Sequence, residues 1–222
     1  MRRFLSNIHW GDKLIDILVV VLGITIAFAL NNWRENRQNA KLEQQYLRNL
    51  KEDLVKDSVG LDYSISHADE IFFSIERIQR LAGQSSNADS IYVYLGAIGD
   101  DNLLIFKPED YSYSTMQQTG NITLIETDSI RRNLSQLYDT YELLEMQTDF
   151  AFKYQFDRLF TYYYNYDFQS QTTVDDQMYL TSNFRNTIRF YSSNLKERRR
   201  LMREALLKIR SLLHSIDQEL DE

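Results

Sequence analysis

Residues Leu14 to Leu30 read LIDILVVVLGITIAFAL, the one long apolar run in the chain, and a single charged residue, Asp16, lies inside it. The chain's two tryptophans flank the run, Trp10 before it and Trp33 after it. On a helix the 23 residues separating them rise about 34 Å at 1.5 Å per residue, close to the ~30 Å hydrocarbon core of a bilayer. Tryptophan favours both water–lipid boundaries of a spanning helix. The expected architecture is therefore one transmembrane anchor, residues 1–34 with their N-terminal tail, followed by a water-exposed domain over 35–222. Trp10, Trp33 and Arg34 mark the membrane interfaces.

Two other readings of the run are weaker. A cleaved signal peptide would fit the basic start at Arg2 and Arg3, but Ala27-Phe28-Ala29 leads through Leu30 and Asn31 into an unbroken helix-forming stretch. A buried core helix would fit the 14 residues from Ile17 to Leu30, but the tryptophans and the flanking Arg34 and Arg37 argue against it. Positive charges balance across the span, with Arg2, Arg3 and Lys13 before it and Arg34, Arg37 and Lys41 after it. A short basic tail ordinarily stays in the cytoplasm, which places the N-terminus inside and the domain outside.

The rest of the chain is poor in breakers, with one proline and seven glycines in 222 residues, which favours long helices over a sandwich or barrel. It has no cysteine, hence no disulfide, thiolate nucleophile or cysteine metal site. The net charge of −7 repels nucleic acid.

Helical periodicity recurs downstream. From Asn32 to Ser58 the sequence reads as helix continuing from the anchor, with Leu47, Leu50, Leu54 and Leu61 as an a/d-like stripe. A second helix is expected over about 61–82, with Ile71, Ile75, Ile78 and Ala82 inside and Gly83 at its end. Gln84-Ser85-Ser86-Asn87 reads as a loop. The stretch 84–126 is the least regular. It holds a short helix around Ile91, Leu95 and Ile98, an extended segment from Leu103 to Phe106, and a helix from Tyr111 to Thr119 closed by Gly120. A long helix starts at Thr127 or Asp128 and buries Ile130, Leu134, Leu137, Tyr141, Leu144 and Thr148. It runs into an aromatic zone with ten Phe or Tyr in the nineteen residues 150–168. Gln169 to Asp176 reads as a polar loop. The last helix is expected from Asn183 to Leu220, with Ile188, Tyr191, Leu195, Met202, Leu206, Ile209, Leu213, Ile216 and Leu220 inside. The fold class is all-α: one N-terminal transmembrane helix continuing into a membrane-attached bundle of four long helices with coiled-coil-like packing.

The stretch from Asp16 to Ile24, followed by Ala27-Phe28-Ala29-Leu30-Asn31-Asn32-Trp33, resembles the N-terminal signature of an uncharacterised family of bacterial single-pass membrane proteins. Asp16 stands where that family usually carries glutamate. Tyr46-Leu47, Leu50-Lys51-Glu52-Asp53-Leu54, Ser114-Thr115-Met116, Gly120, Ile125, Ile130-Arg131, Leu134 and Leu137-Tyr138 are similar to its later segments. The resemblance implies an architecture and a Gram-negative inner membrane, and it implies no reaction; with the N-terminus inside, the domain would then lie on the periplasmic side. A second, shorter likeness covers Leu14 to Leu22, which is similar to the anchor of ion-motive accessory subunits of the flagellar-stator and TonB-energising types. There a membrane aspartate carries an ion.

Candidate residues follow. Asp16 is a carboxylate that a bilayer centre would charge about 2.5–3.5 kcal/mol, so it reads as interfacial and paired with Lys13, or as an ion-coupling or assembly group facing a partner helix. Thr25 reads as bonded to its own helix backbone. Gly23 and Ala27 form a small-xxx-small pair that would let two anchors approach. Arg198, Arg199, Arg200 and Arg203 make the last helix locally basic, either as a face packed near acidic neighbours or as a site for an anionic partner. The aromatic zone reads as core or subunit interface. His9, His67 and His214 lack ligand spacing, and no Gly-x-Ser-x-Gly elbow or phosphate loop occurs, so no metal, cofactor or catalytic residue is assigned. The chain is expected to be a non-enzymatic, homo-oligomeric membrane-anchored interaction module. The alternative is an accessory subunit of a multi-pass ion-motive or channel complex using Asp16.

Overall fold

The structure, a computed structural model, describes residues 10–83, 87–99 and 106–221, with the side chains of 10–13 and 16 outside that description. Arg2, Arg3, His9, the Gln84-Ser85-Ser86 part of the expected loop, the Leu103–Ile105 part of the expected extended segment, and the side chains of Trp10, Lys13 and Asp16 therefore lie outside the described residues.

The described chain is mostly helical, with one two-stranded hairpin and short irregular connections such as 106–110. Helix α1 is Trp10–Leu81, α2 is Ala88–Gly99, α3 is Tyr111–Thr119 and α4 is Asp128–Tyr154. A π-helical turn, Gln155–Leu159, joins α4 to the short α5, Phe160–Tyr163. Strands β1 (Tyr166–Asp167) and β2 (Thr172–Thr173) pair antiparallel, with Tyr166 opposite Thr173. Helix α6, Ser182–Asp221, closes the fold.

The chain divides into two compact units, Met1–Tyr46 and Leu47–Glu222. In the first, the described side chains of α1 from Leu14 to Lys41 are exposed. Each large apolar side chain described from Leu14 to Leu30 is 51–66% exposed, so this stretch has no inward face within the chain. By length and composition α1 is long and apolar enough to cross a membrane.

In the second unit, α1 buries Leu47, Leu50, Leu54, Asp57, Leu61, Ser64, Ala68, Ile71, Ile75 and Ile78, steps of three and four residues alternating throughout. One helix therefore replaces the two expected on either side of residue 60, and the long helices of this unit number three (α1, α4 and α6) rather than four. The expected break fails for local reasons. The Ser58 hydroxyl donates to the Val55 carbonyl and that of Ser64 to the Gly60 carbonyl, so both serines bond back into the helix. Gly60 leaves room for the Phe106 ring, which would lie 3.5 Å from a Cβ there.

Cross-links set the helix directions. Lys51 pairs with Asp217, Asp62 with Arg210, and Asp69 with Arg199 and Arg203, so α6 runs antiparallel to α1. The Thr127 hydroxyl bonds Glu219 and Lys208 reaches Thr140, so α6 also runs antiparallel to α4. Phe72, Arg199 and Asp69 form one cluster, with the guanidinium 4.3 Å from the ring centroid. On α6 the inner face shifts slightly from the expected stripe: Leu212 is buried, while Leu213 and Leu220 are half-buried.

Candidate functional site

The buried surface of α1 is apolar except at Asp57, Ser64 and Ser74, and Asp57 is the one carboxylate among them, 2% exposed. Its position follows from the three–four spacing, since it fills the step between Leu54 and Leu61. Three elements meet on it. One carboxylate oxygen accepts from the backbone N–H of Glu109, at 2.8 Å. The other accepts from the Tyr141 hydroxyl on α4, at 2.7 Å. One turn earlier, Asp53 accepts from the backbone N–H of Ser112 at the start of α3.

The segment from Phe106 to Asp110 is thus strapped across the bundle. The Phe106 ring packs beside Tyr141, centroids 5.4 Å apart, and over Gly60. The Tyr138 hydroxyl donates to the Glu109 carbonyl at 3.3 Å, and the Tyr138 ring stacks on Tyr113 at 3.8 Å. Clefts of about 250 Å³ and 370 Å³ share Phe106 and Lys107 as lining. The first adds Tyr141, Glu145 and Asp149; the second adds Lys56, Asp57, Tyr63 and Glu109.

Burial pushes the Asp57 carboxyl up to about 6. The hydrogen bonds from Glu109 and Tyr141 oppose that rise, and the charges of Asp53 and Glu109 add to it. Burial, then the charge of Asp57, hold the Tyr141 hydroxyl far above the ordinary phenol range, so it stays a donor. Chemically the site can take up and release a proton near pH 6 and hold a strap of backbone. Among the described residues, no group of three or more His, Asp or Glu side chains is placed to hold a metal ion.

The residues singled out in the sequence lie elsewhere. Thr25 donates to the Val21 carbonyl at 2.8 Å, bonded to its own helix. A Cβ on Gly23 would meet nothing within 4 Å; Ala27, one turn on, and Trp33, further along α1, are also exposed. Arg37 lies 5.6 Å from the Trp33 ring centroid. Arg34 is exposed. The four arginines of α6 do not form one free face. Arg198 is buried, Arg199 and Arg203 share Asp69, and Arg200 pairs with Glu197 and Glu204. The aromatic zone divides between core and surface. Tyr162 packs in the core with Phe184, while Phe152, Phe156 and Phe160 form an outer ladder with centroids 4.8 and 4.7 Å apart.

Apolar periodicity alone does not mark Asp57, because the leucine stripe is recognised by its apolar members. The signal was present as the skipped step between Leu54 and Leu61.

The family described as "Family of unknown function (DUF6090)" matches residues 16–149, which include the apolar stretch from Asp16 onward, Asp57 and Tyr141. No curated protein and no solved structure matches the chain.

Proposed function

The chain belongs to the DUF6090 family, and from that premise we propose that it is a single-pass protein of a bacterial inner membrane whose helical body docks a protein partner. The reading is carried by one observation: from Leu14 to Leu30 the large apolar side chains of α1 are more than half exposed on every side. Water does not tolerate so large an apolar surface, and a bilayer covers it without any further protein. Trp33 with Arg37 beside it supplies an interfacial anchor of the usual kind.

The body is read as a docking module rather than an enzyme. The polar groups of its interior described above hold helices and a strap. The open face at Gly23 and Ala27 supports self-association of anchors. A short basic tail ordinarily stays in the cytoplasm, so the proposal has the N-terminus inside and the body in the periplasm.

Fractionation tests the anchor. Full-length protein should stay in the membrane pellet through alkaline carbonate and leave it only with detergent; recovery in the carbonate supernatant refutes the proposal. Because the chain lacks cysteine, Asn186→Cys supplies a single thiol on the exposed side of α6. A membrane-impermeant maleimide should label it in intact spheroplasts, and labelling only after lysis reverses the orientation. Gentle detergent extraction followed by mass spectrometry should recover a partner together with more than one copy of the chain.

A further inference from the structure

We propose that the Phe106–Asp110 strap is a proton-controlled latch, closed over Asp57 when that carboxyl is protonated and loosened when it ionises. The inference goes beyond the docking reading and does not depend on it.

The geometry comes first. Among the described residues, the strap's attachments to the bundle include the Glu109 N–H on Asp57, the Glu109 carbonyl on Tyr138, and the Phe106 ring on Tyr141 and Gly60. Closure leaves Asp57 2% exposed, although clefts of about 250 and 370 Å³ lie beside the strap. Lifting the strap therefore opens Asp57 to water from two sides without unpacking the apolar seam on either side of it.

The charges around Asp57 make closure sensitive to its protonation. On α1, Asp53 repels its anion and Lys56 lines the neighbouring cleft. On the strap, Glu109 repels it and Lys107 lines both clefts. Asp110 stands at the N-terminus of α3, and α4 presents the neutral hydroxyls of Tyr138 and Tyr141. The cations of α6 along this stretch are engaged elsewhere, Lys208 by Glu204 and Thr140, and Arg210 by Asp62. No cation bonds the Asp57 carboxylate among the described residues, so its ionised form is held by two hydrogen bonds alone.

The direction follows by linkage. Closed, the carboxyl titrates at about 6; opened to water it returns to the ordinary 3.8. Protonation thus favours the closed form, and the gain disappears as pH rises from about 4 to about 6. The opening equilibrium should increase by about 100-fold across that window and be flat above it.

Hydrogen exchange on the full chain in detergent micelles tests this, with rates corrected for the intrinsic pH dependence of exchange. Protection in the peptide that carries the Glu109 amide should fall by about 100-fold between pH 4 and pH 7. Protection in α4 and α6 should not follow it. Asp57→Asn cannot ionise; its one oxygen can accept from the Glu109 N–H while its NH2 donates to the Tyr141 hydroxyl, and it should show a flat profile. Tyr141→Phe keeps the carboxylate and should keep the pH dependence. A flat wild-type profile, an unchanged slope in Asp57→Asn, or a parallel loss of protection across α4 and α6 each overturns the latch. The wild-type series alone decides the matter if a variant does not fold.

Discussion

Gln155 offers a sharp test of how α2 is held. It begins the π-helical turn, is 2% exposed, and its side-chain amide donates to the Ile98 carbonyl at 2.9 Å. Ile98 lies one residue from the end of α2, so its carbonyl is among the last four that a helix leaves without an internal partner. Gln155 is thus a C-terminal cap supplied from a distant part of the chain. Gln155→Leu keeps most of the volume and removes the donor, leaving a buried carbonyl unpaired. That should cost about 1–3 kcal/mol. For a body of about 175 residues, 2 kcal/mol corresponds to a Tm lower by about 4–8 °C. Thermal and urea unfolding of the full chain in micelles, followed by far-ultraviolet circular dichroism, measures it. Gln155→Glu, whose ionised form offers no donor and places a charge against the carbonyl, should be worse than leucine. A loss below about 0.5 kcal/mol for leucine, or a glutamate variant equal to wild type, would refute the capping argument.

Two further outcomes follow from the same geometry. Global stability should carry an Asp57 component that is fully present below about pH 4 and lost as pH rises to about 6, since this carboxyl titrates higher folded than unfolded. It amounts to about 3 kcal/mol, read as the difference between wild type and Asp57→Asn, which cancels the opposite trend of Glu197 and Glu204, both held below their ordinary range by hydrogen bonds from Arg200 and Lys208 respectively. Gly120 closes α3 at φ 75°, and Gly120→Ala should lose about 1 kcal/mol in urea unfolding, whereas the same change at Gly96, inside α2, should not destabilise.

What the sequence disclosed depended on whether a feature had a local residue signature. Helix α3 was legible from end to end because a glycine in left-handed backbone is the common way to stop a helix. The start of α4 was legible for the same kind of reason, although Thr127 gives its hydroxyl to Glu219 rather than to its own helix end. The π-helical turn was not legible. It is one residue of excess winding, and it is masked by the every-second-residue alternation of Phe150, Phe152, Tyr154 and Phe156, which taken alone reads as strand. The hairpin was hidden because it straddles two readings, its first strand ending the aromatic zone and its second lying in what reads as polar loop. Asp167 closes its turn by accepting from the Gln169 N–H and the Ser170 hydroxyl, a contact with no apolar periodicity. Asp57 was hidden because a buried carboxylate breaks the rule by which cores are recognised, and only its register places it there.

The antiparallel run of α6 along α1 has a mechanical corollary. Lys51 and Asp217 pair where the body begins, so both of its ends emerge on one side. A pull applied between them would peel α6 from α1 like a zipper, the outermost ion pair parting first and Asp69 with its two arginines much later. Such geometry yields one turn at a time at low force, whereas a pull along the seam would have to rupture every contact together.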